Sequence, residues 1–278
     1  MNEYGDNNSR IAIHTVTTRS WKLDVAIRKF KDAGIGGISV WQSFLDDFPL
    51  KDSAKMLTES RLKVVSLVRG GFFTGIDGDL RKKSIENNIR MIRQAREINA
   101  GMLVLVCGAT PGQTLRTSRE QILKGIETII PEAEKNKVKL AVEPLHPVYS
   151  DSRSAINTLS QANDIVEKFN SPWLGVALDV YHVWWDPELY VEIERCGRND
   201  HLFAVHLCDW RVPTRDILND REIMGKGIIN IQEIIDKVKR IGYNGMYEIE
   251  IFSNEYWSMD TDIFFKMILE SVKQYNLN

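Results

Sequence analysis

Cysteine is scarce in this chain: three in 278 residues, Cys107, Cys196 and Cys208. Three scattered thiols exclude a disulfide framework, and Cys107 and Cys208, which close apolar runs, are expected as buried free thiols. That usage fits a reducing compartment, so a cytoplasmic location is expected. Net charge is also nearly missing. The 36 basic and 38 acidic side chains leave a formal −2, which gives no overall attraction to nucleic acid or to an anionic membrane. No apolar run approaches the length of a membrane span. Neither nucleic acid nor membrane is therefore expected as a partner. Met1 to Arg10 lack the apolar stretch of a signal peptide. They read as a polar tail, residues 1–10, ahead of one domain over residues 11–278. A glycine-rich turn after the first strand is absent as well. That strand runs into His14-Thr15-Val16-Thr17-Thr18-Arg19, which argues against a dinucleotide-binding sheet.

What is present is an alternation. The chain is 43% hydrophobic and 27% charged, enough for a large core. Strand-like apolar runs occur at Ile11–Val16, Gly37–Val40, Lys63–Val68, Met102–Val106, Val138–Glu143, Trp173–Asp179, Leu202–Leu207 and Met246–Phe252. An amphipathic stretch follows each run. Eight β-α units in one chain predict an α/β fold, a single-domain (β/α)8 TIM barrel. Asp52, Asp79, Ser118 and Ser152 are expected as helix N-caps. Gly34, Gly101 and Gly242 are expected as left-handed C-caps. The longest irregular stretch is Cys208–Asn230, on the face where long barrel loops carry function.

Four of the runs carry a ligand-type residue at or within two residues of their carboxyl end: Glu143, Asp179, His206 and Glu250. They are 36, 27 and 44 residues apart, and one βα unit takes roughly 30 residues. They therefore fall at equivalent heights on strands five to eight and converge on the mouth. Any one of them alone reads blandly, as a loop starter, half an ion pair or a core histidine. Together they form a divalent-metal set. Glu248 shares strand parity with Glu250, so both point inward; Glu250, nearer the carboxyl end, is the expected ligand.

Other residues gather on the same side. Trp21, Trp41, Trp184, Trp185, Trp210 and Trp257 all follow strands. Some are expected to pack loops and others to wall a substrate, with Trp41, Trp185 and Trp210 in the second role. His146, between Pro144 and Pro147, is expected to turn its ring to the pocket. Arg69, Arg153, Arg211 and Arg215 follow strands too. They either clamp an anion or pair with Asp151, Asp209 and Asp216; Arg211 is the one expected at substrate.

Glu143-Pro144-Leu145-His146-Pro147, Leu178-Asp179-Val180-Tyr181-His182, His206-Leu207-Cys208-Asp209-Trp210, Gly225-Lys226-Gly227-Ile228-Ile229 and Gly242-Tyr243-Asn244-Gly245 with Glu250 beyond it resemble the xylose isomerase-like TIM barrel superfamily. The resemblance spans roughly residues 10 to 275. It implies one divalent metal ion on Glu143, Asp179, His206 and Glu250, Mn²⁺ first, with Mg²⁺ or Co²⁺ as alternatives. It implies that His182 contacts substrate oxygens and that Glu143 and Glu250 are the acid/base pair. The implied activity is isomerisation or epimerisation of a sugar or cyclic polyol by proton transfer, through an enediolate held on the metal. The expected partner is that small-molecule carbohydrate or polyol, and a homo-oligomer is expected. The same superfamily offers a lyase or dehydratase. Such an enzyme dehydrates a keto-inositol or dehydroshikimate, or cleaves the C-glycoside of a 3-keto-glycoside with a small partner subunit. There His146 would be catalytic and manage the departing group. An abasic-site endonuclease ranks below both. Its three-metal site needs more histidines than this chain's five, and Trp41-Gln42 and Arg69-Gly70-Gly71 stand after strands two and three.

Overall fold

A computed structural model describes residues 8–277. Eight parallel strands close into a barrel: β1 (Ile11–His14), β2 (Gly37–Trp41), β3 (Lys63–Gly71), β4 (Met102–Val106), β5 (Lys139–Glu143), β6 (Leu174–Asp179), β7 (Leu202–Leu207) and β10 (Tyr247–Ile249). Their order around the barrel is β1-β10-β7-β6-β5-β4-β3-β2. Between β7 and β10 a small antiparallel pair, β8 (Asp209–Trp210) and β9 (Arg221–Glu222), stands apart. The helices are α1 (Leu23–Asp32), α2 (Leu50–Ser60), α3 (Gly78–Glu97), α4 (Leu115–Asn136), α5 (Leu159–Phe169), α6 (Val180–Val183), α7 (Leu189–Arg198), α8 (Ile231–Arg240), α9 (Asn254–Ser258) and α10 (Thr261–Val272).

The strands read as unbroken apolar runs because both faces are buried. Their outward residues, among them Ile13, Leu103, Leu140, Val176 and Leu207, pack against the helices. Their inward residues form a separate cluster that includes Ala12, Val104, Ala141, Ala177 and Ala204. Side chains alternate along a strand, so the next inward position above each alanine is two residues on. Those positions are His14, Glu143, Asp179 and His206. A floor of small side chains thus leaves width for a polar layer over it. Strand register sets the heights: Asp179 pairs with His206, and His206 with Glu248. Glu250 lies one pleat above.

Several local expectations give way. The capping side chains are Asp77, Thr114 and Thr158 on α3, α4 and α5, not Asp79, Ser118 and Ser152. Asp79 lies inside the first turn, where its charge still favours the helix dipole. Asp52 is likewise internal, because α2 begins directly after Pro49. On α3 and α4 the first turn is solvent-facing, so the apolar period starts later than the helix does; α5 starts later than expected, at the buried Leu159. Gly34 and Gly242 have φ of 71° and 85°, whereas before β4 the left-handed residue is Asn99 at 57°, not Gly101. The stretch Cys208–Asn230 is not irregular throughout: it carries the β8–β9 hairpin.

Of the expected polar tail, residues 1–7 lie outside the described residues. Asn8 is buried, and its side-chain amide donates to Ala33 O at 3.1 Å. Arg10 donates to Tyr243 O at 3.3 Å and to Gly245 O at 2.8 Å. These bonds tie the chain's entry to the amino end of the barrel. No helix among the described residues is long and apolar enough to cross a membrane.

Candidate metal centre

Glu143 and Asp179 end β5 and β6, His206 lies in β7, and Glu250 follows β10 directly. Each offers one ligand atom, and the four atoms lie within 4.8 Å of one another. All four side chains are buried. His206 Nδ1 is 2.9 Å from Glu143 Oε1. Two further residues complete the cluster. Arg221, from β9, places its guanidinium 2.8 Å from Asp179 Oδ2 and 3.0 Å from Glu250 Oε2, with His182 Nε2 at 3.3 Å. His14, from β1, has Nδ1 3.1 Å from Glu250 Oε1. Its ring meets His206 edge-on, with centroids 4.7 Å apart.

Glu248 also points inward, as its parity requires, but at a lower level. Its Oε2 accepts hydroxyl hydrogen bonds from Ser39 at 2.5 Å and Ser66 at 2.9 Å. His14 Nε2 lies 3.4 Å from that oxygen, and His206 Nε2 lies 3.8 Å from Oε1. His14, His206 and Glu248 thus make a second group of converging ligand atoms. It shares His206 with the first.

The electrostatics differ around the cluster. Burial pushes the Asp179 carboxyl up to about 6, against the pull of Arg221. Burial would raise Glu250 as well, but the charges of His14 and Arg221 outweigh it and hold Glu250 well below the usual carboxylate range. For His206 burial acts downward. The neighbouring Glu248 and Glu143 win, raising the imidazole to about 10. Glu143 Oε1 and His206 Nδ1 are buried against each other at 2.9 Å without hydrogen-bond geometry, and His206 Nε2 is buried with no hydrogen-bond partner. An unsatisfied buried polar atom costs about 1–3 kcal/mol. Three carboxylates and one imidazole, with their ligand atoms crowded within 4.8 Å, suit a divalent cation of oxygen and nitrogen preference.

Above the cluster lies a cavity of about 40 Å³, bordered by Glu143, Glu250, His182, Arg221, Arg69 and Arg153. Leu218 and Trp41 also line it. The segment carrying Leu218 is held down by Tyr149 and Tyr181, whose hydroxyls donate to Ile217 O. A ligand pocket takes a few hundred Å³, and with this segment down the cavity is smaller than that.

The structure brings together some of the expected contacts and separates others. Trp41 lines the cavity, with its Nε1 3.2 Å from His14 Nδ1, and so does His182. Trp185, Trp210 and His146 do not line it. They form an aromatic cluster in which the His146 ring lies 5.7 Å from Trp185 and 5.2 Å from Trp210. Trp210 stacks on Tyr181 at 4.6 Å, and His146 Nδ1 accepts from the Val148 N–H at 3.2 Å. Arg211 is absent from the lining as well. It pairs with Asp220 at 3.0 Å and Glu222 at 2.8 Å. Asp209, its expected partner, instead accepts backbone N–H groups of Gly225, Gly227 and Ile229. Trp21 is a core ring, packed on Phe30 and Phe265. The three cysteines are buried and free, and burial pushes the Cys107 and Cys208 thiols up.

His14 and Arg221 were not among the expected site residues. His14 closes the run Ile11-Ala12-Ile13, the same signature that marked the other four, so the signal was there. Arg221 had none. It reaches the site only because the hairpin folds back over the mouth.

The family described as the xylose isomerase-like TIM barrel matches residues 27–266. Protein SMc04130 of Sinorhizobium meliloti 1021 has a crystal structure that superimposes with a TM-score of 0.93 at 37% identity, covering 95% of this chain and 98% of that one. The inosose isomerase of Halalkalibacterium halodurans is 25% identical over 223 residues, 79% of this chain and 77% of the isomerase. The IolI protein, crystallised with a zinc atom, shares the fold: TM-score 0.81 at 20% identity, covering 96% of this chain and 99% of that one. By a family match that runs through most of its barrel, this chain belongs to the xylose isomerase-like TIM barrel family.

Proposed function

We propose that the chain is a divalent-metal-dependent isomerase or epimerase of a keto sugar or cyclic keto-polyol. One observation carries the reading: four buried ligand atoms, from Glu143, Asp179, His206 and Glu250, converge within 4.8 Å at the carboxyl ends of the strands. The similarity to an inosose isomerase supports the reaction class. Mn²⁺ is the first choice of ion, with Mg²⁺ or Co²⁺ as alternatives. Bound there, the ion supplies Lewis-acid polarisation of a carbonyl and its neighbouring hydroxyl.

The chain supplies the rest. Glu143 and Glu250 rise from β5 and from beyond β10, with β7 and β6 between them. A substrate carbon held over the cluster therefore has a carboxylate on either side. One takes the proton next to the carbonyl, and the other returns a proton to the opposite face. Burial, reinforced by Arg221, lowers the His182 pKa; its Nε2 accepts from the Arg221 guanidinium, which leaves the Nδ1–H as a donor for a substrate oxygen. Arg221 adds fixed donors beside it. The lyase reading requires a group for the departing substituent, and His146 sits off the cavity with one nitrogen already engaged.

Metal-loaded enzyme incubated with ketohexoses and keto-inositols in D₂O tests this reading. Glu143→Gln and Glu250→Gln are each expected to slow exchange at the reacting carbon by at least about 100-fold. Near-normal exchange in either variant, with metal retained, removes that residue from the acid/base pair.

A further inference from the structure

Arg69, Arg153, Arg211, Arg215 and Arg221 lie at the carboxyl end of the barrel, and three of them are spoken for. Arg211 and Arg215 are held by Asp220 and Glu255, with Glu222 also on Arg211. Arg221 is held by Asp179 and Glu250. Arg69, in β3, and Arg153, after β5, make no ion pair among the described residues. Both are half-buried, and both line the mouth cavity with Glu143 and Glu250. Aromatic faces steady them instead of carboxylates. The Arg69 guanidinium lies 5.4 Å from the Trp41 ring centre and 5.0 Å from that of Phe72. Arg153 lies 5.7 Å from the Tyr149 ring centre.

The pair is under electrostatic tension. Burial lowers the Arg69 pKa, and the charge of Arg153 lowers it further, ahead of the opposing pull from Glu250 and Glu143. Two partly desolvated cations facing one space, with no carboxylate in ion-pair contact with either, favour a ligand that brings an anion to them. Arginine's planar fork matches carboxylate and phosphate alike.

We infer that the substrate carries an acidic group, a carboxylate or a phosphate, seated between Arg69 and Arg153 on the β3–β5 side of the mouth. This rests on the reading that the mouth turns over a keto sugar or keto-polyol, and it narrows that class to an acidic member. The acidic group is the distal anchor, and the reacting carbons lie over Glu143 and Glu250.

The test is calorimetric titration of the metal-loaded enzyme with three matched ligands: a neutral ketohexose, its terminal phosphate and its terminal carboxylate. At least one acidic ligand is expected to bind roughly tenfold or more tightly than the neutral parent, the scale of a charged hydrogen bond. The better of the two identifies the anion. Arg69→Gln and Arg153→Gln are each expected to erase most of that advantage, and Arg69→Lys to keep only part of it. Circular dichroism checks that each variant is folded. Equal binding of all three ligands, or an acidic advantage that survives in both Gln variants, overturns the inference. Deuterium exchange measured on the same ligands reports separately on the isomerase reading. Exchange on the neutral sugar with no acidic preference sinks this inference alone. Acidic preference without exchange on any ligand keeps the anion site and sinks the reaction.

Discussion

Glu248 and Glu250 leave the same edge of the barrel, two residues apart and on the same side, and they meet different surroundings. Glu248 is knotted into the chain: two serine hydroxyls and His14 surround one oxygen. Glu250 faces Arg221, His14 and the ligand atoms of three other strands. Both are buried carboxylates. The difference shows that burial alone does not mark a reactive acid. What separates them is the company each keeps: serine hydroxyls from β2 and β3 hold Glu248 at the floor, whereas Glu250 shares its space with ligand atoms from three other strands.

Removing each acid is the strongest way to break this contrast. Glu248→Ala removes the acceptor of two serine hydroxyls and the buried anion beside the Nε2 atoms of His14 and His206. It is expected to lower stability by about 3–5 kcal/mol, the scale for breaking a buried charged pair. Glu250→Gln keeps the side chain's shape and leaves Asp179 on Arg221, but it removes the charge that Arg221 and His14 hold ionised, and is expected to lower stability by about 1–3 kcal/mol. Urea unfolding of the metal-free proteins measures both. Equal losses would erase the distinction.

A gentler change sharpens it. His206 turns Nδ1 toward Glu143 and Nε2 toward Glu248. Glu248→Gln keeps the volume and disturbs only the group that orients the imidazole. Metal affinity is expected to fall about 10- to 100-fold, as when an outer partner of a ligating histidine is lost. Competition against a chelating dye measures it, and unchanged affinity would make Glu248 a purely structural residue.

The smallest expected effect lies between two histidines. Carboxylates raise His206, whereas burial alone depresses His146 below the ordinary 6.5. For His146 the folded value lies below the unfolded one. Its contribution to stability is therefore present above pH 6.5 and lost as pH falls toward the folded value. Proton NMR should show a His146 midpoint below 6.5, moving back up in Trp210→Ala, which bares the ring. A midpoint at or above 6.5 in the wild type would remove burial as the governing influence.

The barrel was legible because its strands are buried on both faces and end abruptly in polar residues. The same rule found Glu143, Asp179, His206 and Glu250, and parity found Glu248. The level of each acid was not legible, since it depends on register with β7 and on serines from β2 and β3. Arg221 was hidden for a related reason: nothing local distinguishes it from Arg211 or Arg215. The hairpin sends its side chain into the mouth and leaves theirs among Asp220, Glu222 and Glu255. His146 was misplaced toward the pocket because Pro144 and Pro147 restrict the backbone without aiming the ring.

Crystals of the wild type and of Glu248→Gln, grown with Mn²⁺ and measured for anomalous scattering, test the central claim most directly. One peak per chain is predicted in both, enclosed by Glu143, Asp179, His206 and Glu250. A peak among His14, His206 and Glu248, or no peak in the wild type, would contradict the account.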